Sequence, residues 1–150
     1  MKKLSFILAL TFVVVFAKAQ TTEDSVKTVI NNLFFAMKNG DAALLGSVFA
    51  DSAILQTIGK NKTGEIVVKN EPVAGFIESI SSLPAGAADE QISFETINID
   101  ADLASVWTPY KFYFSGKFSH CGVNSFQLVR VKGEWKIQYI IDTRRKINCE

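Results

Sequence analysis

The chain has a single histidine, His120, and only two cysteines, Cys121 and Cys149. Two distant cysteines and one histidine make no zinc ligand set, so no metal site and no cofactor are expected. Charge of either sign is also short of a surplus: 16 Lys+Arg against 15 Asp+Glu leave a formal +1. No basic stripe with interleaved aromatics occurs, which removes nucleic acid as a partner. Internal repeats, low-complexity tracts and linkers are absent, so one domain is expected. Long apolar runs are absent too, apart from Leu4 to Phe16 near the start.

That run is informative. Lys2 and Lys3 precede it, and Ala17-Lys18-Ala19 follows with small residues at the −3 and −1 positions before Gln20. The core is too short to span a bilayer comfortably, so residues 1–19 read as a cleaved signal peptide and not as a membrane anchor. No cysteine stands at the cleavage point, which argues against a lipoprotein. Cleavage takes Lys2, Lys3 and Lys18 and no acid, turning the formal charge to about −2. The expected product is residues 20–150, exported to a bacterial periplasm or beyond, with no membrane contact after cleavage. Export permits one disulfide, Cys121 to Cys149; the sequence leaves open whether the two approach.

From Thr21 the spacing turns helical. Val26, Val29, Ile30, Leu33, Phe34 and Met37 form one apolar face, Thr21 and Asp24 resemble a capping box, and Asn39-Gly40 is a stop. Asp41 can cap a shorter helix carrying Leu44, Leu45, Val48 and Phe49. "SAILQTIG" and "EIVVKN" read as strands around the turn "KNKTG". Asn70, Glu71 and Pro72 read as the entry to a third helix with Val73, Phe76, Ile77 and Ile80 on its apolar face. A loop runs to about Asp89. The rest is β-rich: "QISFETINID", "LASVWTPYKFYF", "CGVNSFQLVRV" and "EWKIQYIIDTR", with turns at Gly116 and Lys132-Gly133. Three helices in the N-terminal half and then long antiparallel strands predict an α+β domain.

"VKTVINNLFFAMKNGDAALLGSVFADSAIL" resembles the opening of nuclear transport factor 2-like domains: a long helix, a Gly-Asp turn, a short helix and a strand beginning Asp-Ser-Ala. The ending, "GEWKI" followed by "IIDTRR", is similar to the SnoaL-like and "putative lumazine-binding" branches of that superfamily. The resemblance covers residues 22–145. It implies a cone-shaped, curved antiparallel sheet packed against three helices, with a pocket between them. It does not imply one activity, because the superfamily holds isomerases, dehydratases, cyclases, ligand binders and protein-binding modules.

Alternation orders the last hairpin. A two-residue Lys132-Gly133 loop sets Val131 against Glu134. His120, Gly122, Asn124, Phe126, Leu128 and Arg130 then share one face, opposite Arg145, Thr143, Ile141, Tyr139, Ile137 and Trp135. This aromatic face is assigned to the concave side, with His120 at its open end. Asp142 falls on the other face, and a bulge at the turn would shift the pairing by about one residue. At Gly116, either Tyr110 and Phe112 or Trp107 and Tyr113 join His120.

Three functions fit these residues. The first is a domain that binds a small apolar or aromatic ligand through Trp107, Tyr110, His120, Asn124, Phe126 and Tyr139, with Phe34 and Met37 closing the apolar end. The second is an isomerase- or dehydratase-type enzyme using His120 as general acid or base, Asp142 to orient it and Tyr110 to polarise a carbonyl. The third is a protein-interaction module forming a homodimer through the outer sheet face. Arg144 and Arg145 read as a solvated strand end that can also hold an anion at the pocket mouth.

Overall fold

The structure is a computed structural model that describes residues 21–149; the expected leader, residues 1–19, lies outside the described residues. Helix α1 spans Thr22–Asn39. Thr21 Oγ1 accepts from the Asp24 N–H at 3.1 Å, and the Asp24 carboxylate accepts in return from the Thr21 N–H, completing the capping box. Gly40 ends the helix with φ 66°, a left-handed conformation that glycine adopts without strain. Helix α2, Ala42–Ser47, starts where the Asp41 side chain accepts from the Leu44 N–H at 2.9 Å. Helix α3 covers Val73–Ser81 and has no side-chain cap. Asn70 and Glu71 belong to the strand before it, and the Asn70 amide oxygen accepts from Gln56 Nε2 at 2.7 Å instead.

Seven strands follow the order β2-β1-β7-β6-β5-β3, with β4 also on β5. They are β1 Phe49–Lys60, β2 Ile66–Glu71, β3 Ala88–Ile92, β4 Thr96–Asp100, β5 Leu103–Phe114, β6 Lys117–Val131 and β7 Glu134–Thr143. The expected antiparallel sheet is mixed, because β1 runs parallel to β7. No hairpin joins those two strands, so no tight turn dictates their relative direction. The segment "QISFETINID" is two strands on one edge of β5, broken at residues 93–95. The break lies against Pro109, whose carbonyl accepts from the Ser93 N–H at 3.0 Å but which has no N–H to return.

The Lys132-Gly133 loop has two residues, both at positive φ (51° and 85°), as a tight hairpin turn requires. Pairing then runs as expected from Val131–Glu134 to Leu128–Ile137. Beyond that it slips, so that Gln127 faces Tyr139 and Asn124 faces Asp142. Gln138 is the extra residue. On its other side β1 also jumps register, from Phe49–Ile137 to Ile54–Tyr139. The Gln138 amide donates to the Ser52 carbonyl at 2.9 Å, so one side chain ties the two bulges together.

Helices α1 and α3 pack on the inner face. Val26, Ile30 and Leu33 meet Phe126, Leu128 and Ile137 in one core, and Phe34 stands edge-on to Phe126 at 6.2 Å. The tail folds back: Arg145 and Cys121 exchange backbone hydrogen bonds at 2.8 and 2.9 Å, and Cys121 is disulfide-bonded to Cys149. The bridge closes a loop with a sequence separation of 28. Reduction, or Cys149→Ser, is therefore expected to cost about 3 kcal/mol of unfolding free energy. Urea denaturation with and without reductant measures it, and coincident curves would contradict the bridge's role.

Candidate functional site

A cavity of about 240 Å³ opens between α1, α3 and the inner sheet face. Leu33, Phe34 and Met37 of α1, Phe76 and Ile80 of α3, and Leu55, Phe112, Phe126 and Ile140 of the sheet make its apolar walls. Glu71, Glu90, His120, Asn124, Asp142 and Arg144 contribute its polar wall. Each strand contributes through its alternation: on β6, residues 120, 124 and 126 point to one side, as their shared parity requires. At the Gly116 hairpin, Tyr110 pairs with Gly122 and Phe112 with His120, which resolves the register left open by the sequence.

Of the expected ligand contacts, Phe34, Met37, His120, Asn124 and Phe126 line this cavity. Trp107 and Tyr139 do not. Trp107 pairs with Ser125 on the outer face, 44% exposed, in a shallow depression with Thr96, Ser105 and Gln127. Tyr139 is carried outward by the bulge at Gln138, and its hydroxyl donates to Gln56 Oε1 at 2.6 Å. Tyr110 is buried over Gly122, with its hydroxyl 2.8 Å from the Thr143 carbonyl and 3.2 Å from Asp142 Oδ2. The single phenolic proton is committed to those acceptors, so Tyr110 does not polarise a ligand carbonyl.

The same bulge brings Asp142 onto the cavity side, against the expected register. Its Oδ2 accepts from Arg144 Nε at 2.9 Å, and Arg144 also donates to Thr57 Oγ1 at 3.2 Å. Asp142 Oδ1 is buried without a hydrogen-bond partner among the described residues. No hydrogen bond of Asp142 reaches His120, so the orienting dyad does not form: the carboxylate is engaged by Arg144 and Tyr110. His120 Nδ1 lies 3.0 Å from Ser119 Oγ, and its ring packs against Phe112 and Tyr110 at 5.0 and 5.7 Å. Burial and then the Arg144 charge lower its pKa, with Asp142 opposing, a balance that favours the uncharged ring.

Glu90 is a cavity-wall carboxylate that the sequence reading missed. It lies on β3 between Ala88 and Ile92 and accepts from Asn124 Nδ2 at 2.8 Å. It is partly buried in the cavity wall. Burial pushes its carboxyl up to about 7; the Asn124 hydrogen bond pulls down and the Asp142 charge adds to the rise. An acid sharing the parity of two apolar residues, Ala88 and Ile92, was the available signal. The segment was read as a loop as far as Asp89, which hid that alternation. Among the described residues no group of acids, His or Cys is arranged to hold a metal ion.

The family described as "Putative lumazine-binding" matches residues 21–139. The chain belongs to that family. Solved structures with the same fold include a nuclear transport factor 2-like protein of unknown function from Shewanella baltica. It is 15% identical, with a TM-score of 0.64, over 82% of this chain and 93% of that one. A domain of unknown function with a cystatin-like fold from Nostoc punctiforme is 14% identical, with a TM-score of 0.65, over 85% of this chain and 81% of its own. A further nuclear transport factor 2-like protein, from Methylobacillus flagellatus, is 16% identical with a TM-score of 0.63, over 85% and 96% of the two chains. A search of curated proteins finds no match. At such identities the likeness is one of fold: helices on an open, curved, mixed sheet, the arrangement from which this family member builds its cavity.

Proposed function

We propose that the chain is an exported domain that binds one small, largely apolar or aromatic molecule in this cavity. The observation that carries the reading is the unfilled space itself. Protein interiors leave few voids larger than a water molecule. Here about 240 Å³ stays open beneath Phe34, Met37 and Phe126. Scaled from a cavity of about 150 Å³ that accommodates benzene, it suits a body of roughly ten non-hydrogen atoms. Glu90, Asn124 and Asp142 offer a few convergent polar groups beside it, the usual composition of a ligand site. The family's description supports a bicyclic heteroaromatic ligand, and lumazine belongs in the first panel tested. Export is supported by the leader-like residues 1–19 and by the Cys121–Cys149 bridge, since disulfides persist in oxidising compartments.

A thermal-shift screen of the protein against aromatic metabolites tests the reading. A ligand at about 100 times its Kd adds roughly 2.7 kcal/mol, which raises the melting temperature by several degrees. His120→Ala should weaken the hit, because the His120 ring forms part of the wall. A panel in which no compound moves the melt would overturn the proposal. Acid/base chemistry at His120 has less support: its Nδ1 is engaged with Ser119, and among the described residues no carboxylate is hydrogen-bonded to the ring.

A further inference from the structure

The mouth of the cavity differs in charge from its interior. Phe112, His120 and Arg144 line both the cavity and a wider depression that continues outward over Ser119 and Lys146. No acidic side chain lines that depression among the described residues. Arg144 is fixed by Asp142 and Thr57, which hold it across the end of β7 against β1. Lys146 sits in a segment pinned on both sides, by the Arg145–Cys121 backbone pair and by the disulfide at Cys149. Arg145 also lines the depression, with its Nε donating to the Asn148 carbonyl at 3.1 Å. Arg144 and Lys146 line the same depression as the His120 ring; both disfavour its proton, while Asp142 favours it.

Three acids line the cavity below, Glu71, Glu90 and Asp142, and none of them lines the outer depression. Asp142 offsets part of the Arg144 charge through their ion pair, and Glu90 accepts from Asn124 Nδ2, two strands away on β6. A neutral apolar body would leave Lys146, and the exposed side of the paired Arg144, facing water. A body carrying one oxyanion would meet them as it entered, with Ser119 Oγ beside them as a further donor.

We propose that the ligand is an amphipathic monoanion, its aromatic or alicyclic body against Phe126, Phe34 and Met37 and its single oxyanion group directed outward to Arg144 and Lys146. This rests on the cavity being a ligand site and names the class of ligand it takes.

The probes are 2-naphthoate and 2-naphthamide, two bicyclic bodies of equal size that differ in charge, titrated into the full protein by calorimetry. Naphthoate is expected to bind about tenfold more tightly at low salt, with the advantage shrinking as salt screens the mouth. Lys146→Gln should narrow the naphthoate-to-naphthamide ratio about threefold, and Lys146→Glu should erase it. Lys146 is exposed, so neither change endangers the fold. Equal affinities for the two probes, or a ratio that both Lys146 variants leave intact, would overturn the anion proposal while leaving the cavity as an aromatic site. Binding of neither probe would overturn both proposals together.

Discussion

Glu90→Gln is expected to melt well above the native protein at pH 8 and level with it near pH 4. The sign follows from linkage. The carboxyl's ordinary value is 4.5 and burial raises it to about 7 in the folded state, so the folded chain holds the proton more tightly than the unfolded chain. Its stabilising contribution is complete below about 4.5 and is lost as the pH climbs through about 7. That gap corresponds to about 3 kcal/mol. Glutamine stays neutral throughout, and its amide oxygen still accepts from Asn124 Nδ2 in place of Glu90 Oε1. Asp24 and Glu65 are shifted downward by their hydrogen bonds and act with the opposite sign, but they are common to both proteins and cancel in the difference. Urea denaturation of the pair from pH 4 to pH 8 measures it. Parallel stability curves across that range would assign the pH dependence elsewhere.

Gly122→Ala is expected to cost 3 kcal/mol or more, on the order of the worst overpacking changes. Between the Asn124–Asp142 pair and the Cys121–Arg145 bridge, the Thr143 carbonyl turns into the space where a side chain at Gly122 would stand. A Cβ there would fall on that oxygen and lie 2.8 Å from both Cε1 and the hydroxyl oxygen of Tyr110. The backbone oxygen cannot swing aside as a flexible side chain could, so the end of β7 must move, and Asp142 and Arg144 with it. Tyr110→Phe removes only the phenolic hydrogen bond and should cost about 1 kcal/mol. Combining Tyr110→Ala with Gly122→Ala relieves one clash and leaves the other. Denaturation midpoints that improve in this double variant over Gly122→Ala alone would identify Tyr110, and not Thr143, as the obstacle.

Much of the fold was legible because its signals are local. Thr21 and Asp24 lie three residues apart, as a capping box needs; Gly40 and Gly133 adopt positive φ where a helix stop and a hairpin were expected. The inward face of β6 followed from parity alone. What was not legible depended on distant partners. The stretch Ile137-Gln138-Tyr139 contains neither glycine nor proline and reads as an ordinary strand; its bulge goes with a distant partner, the Ser52 carbonyl on β1 that accepts from the Gln138 amide. That misplaced residue sent Tyr139 to the cavity and Asp142 away from it. The parallel β1–β7 pairing was hidden for the same reason, since no turn connects the two strands. Trp107 was kept as a candidate because the turn at Gly116 left two faces open. It sits outside, while Phe112 takes the inner place.

The bulge at Gln138 works as a phase shifter. Upstream of it, odd-numbered Trp135 and Ile137 face the core; downstream, even-numbered Ile140, Asp142 and Arg144 face the cavity. The polar character of the wall is thus stored in the strand's phase and not in its composition. One residue inserted just after Gln138 would invert that phase and exchange the acid and arginine for Tyr139, Ile141 and Thr143. A change of length in β7 can therefore convert a charged binding wall into an aromatic and aliphatic one without substituting a single lining residue.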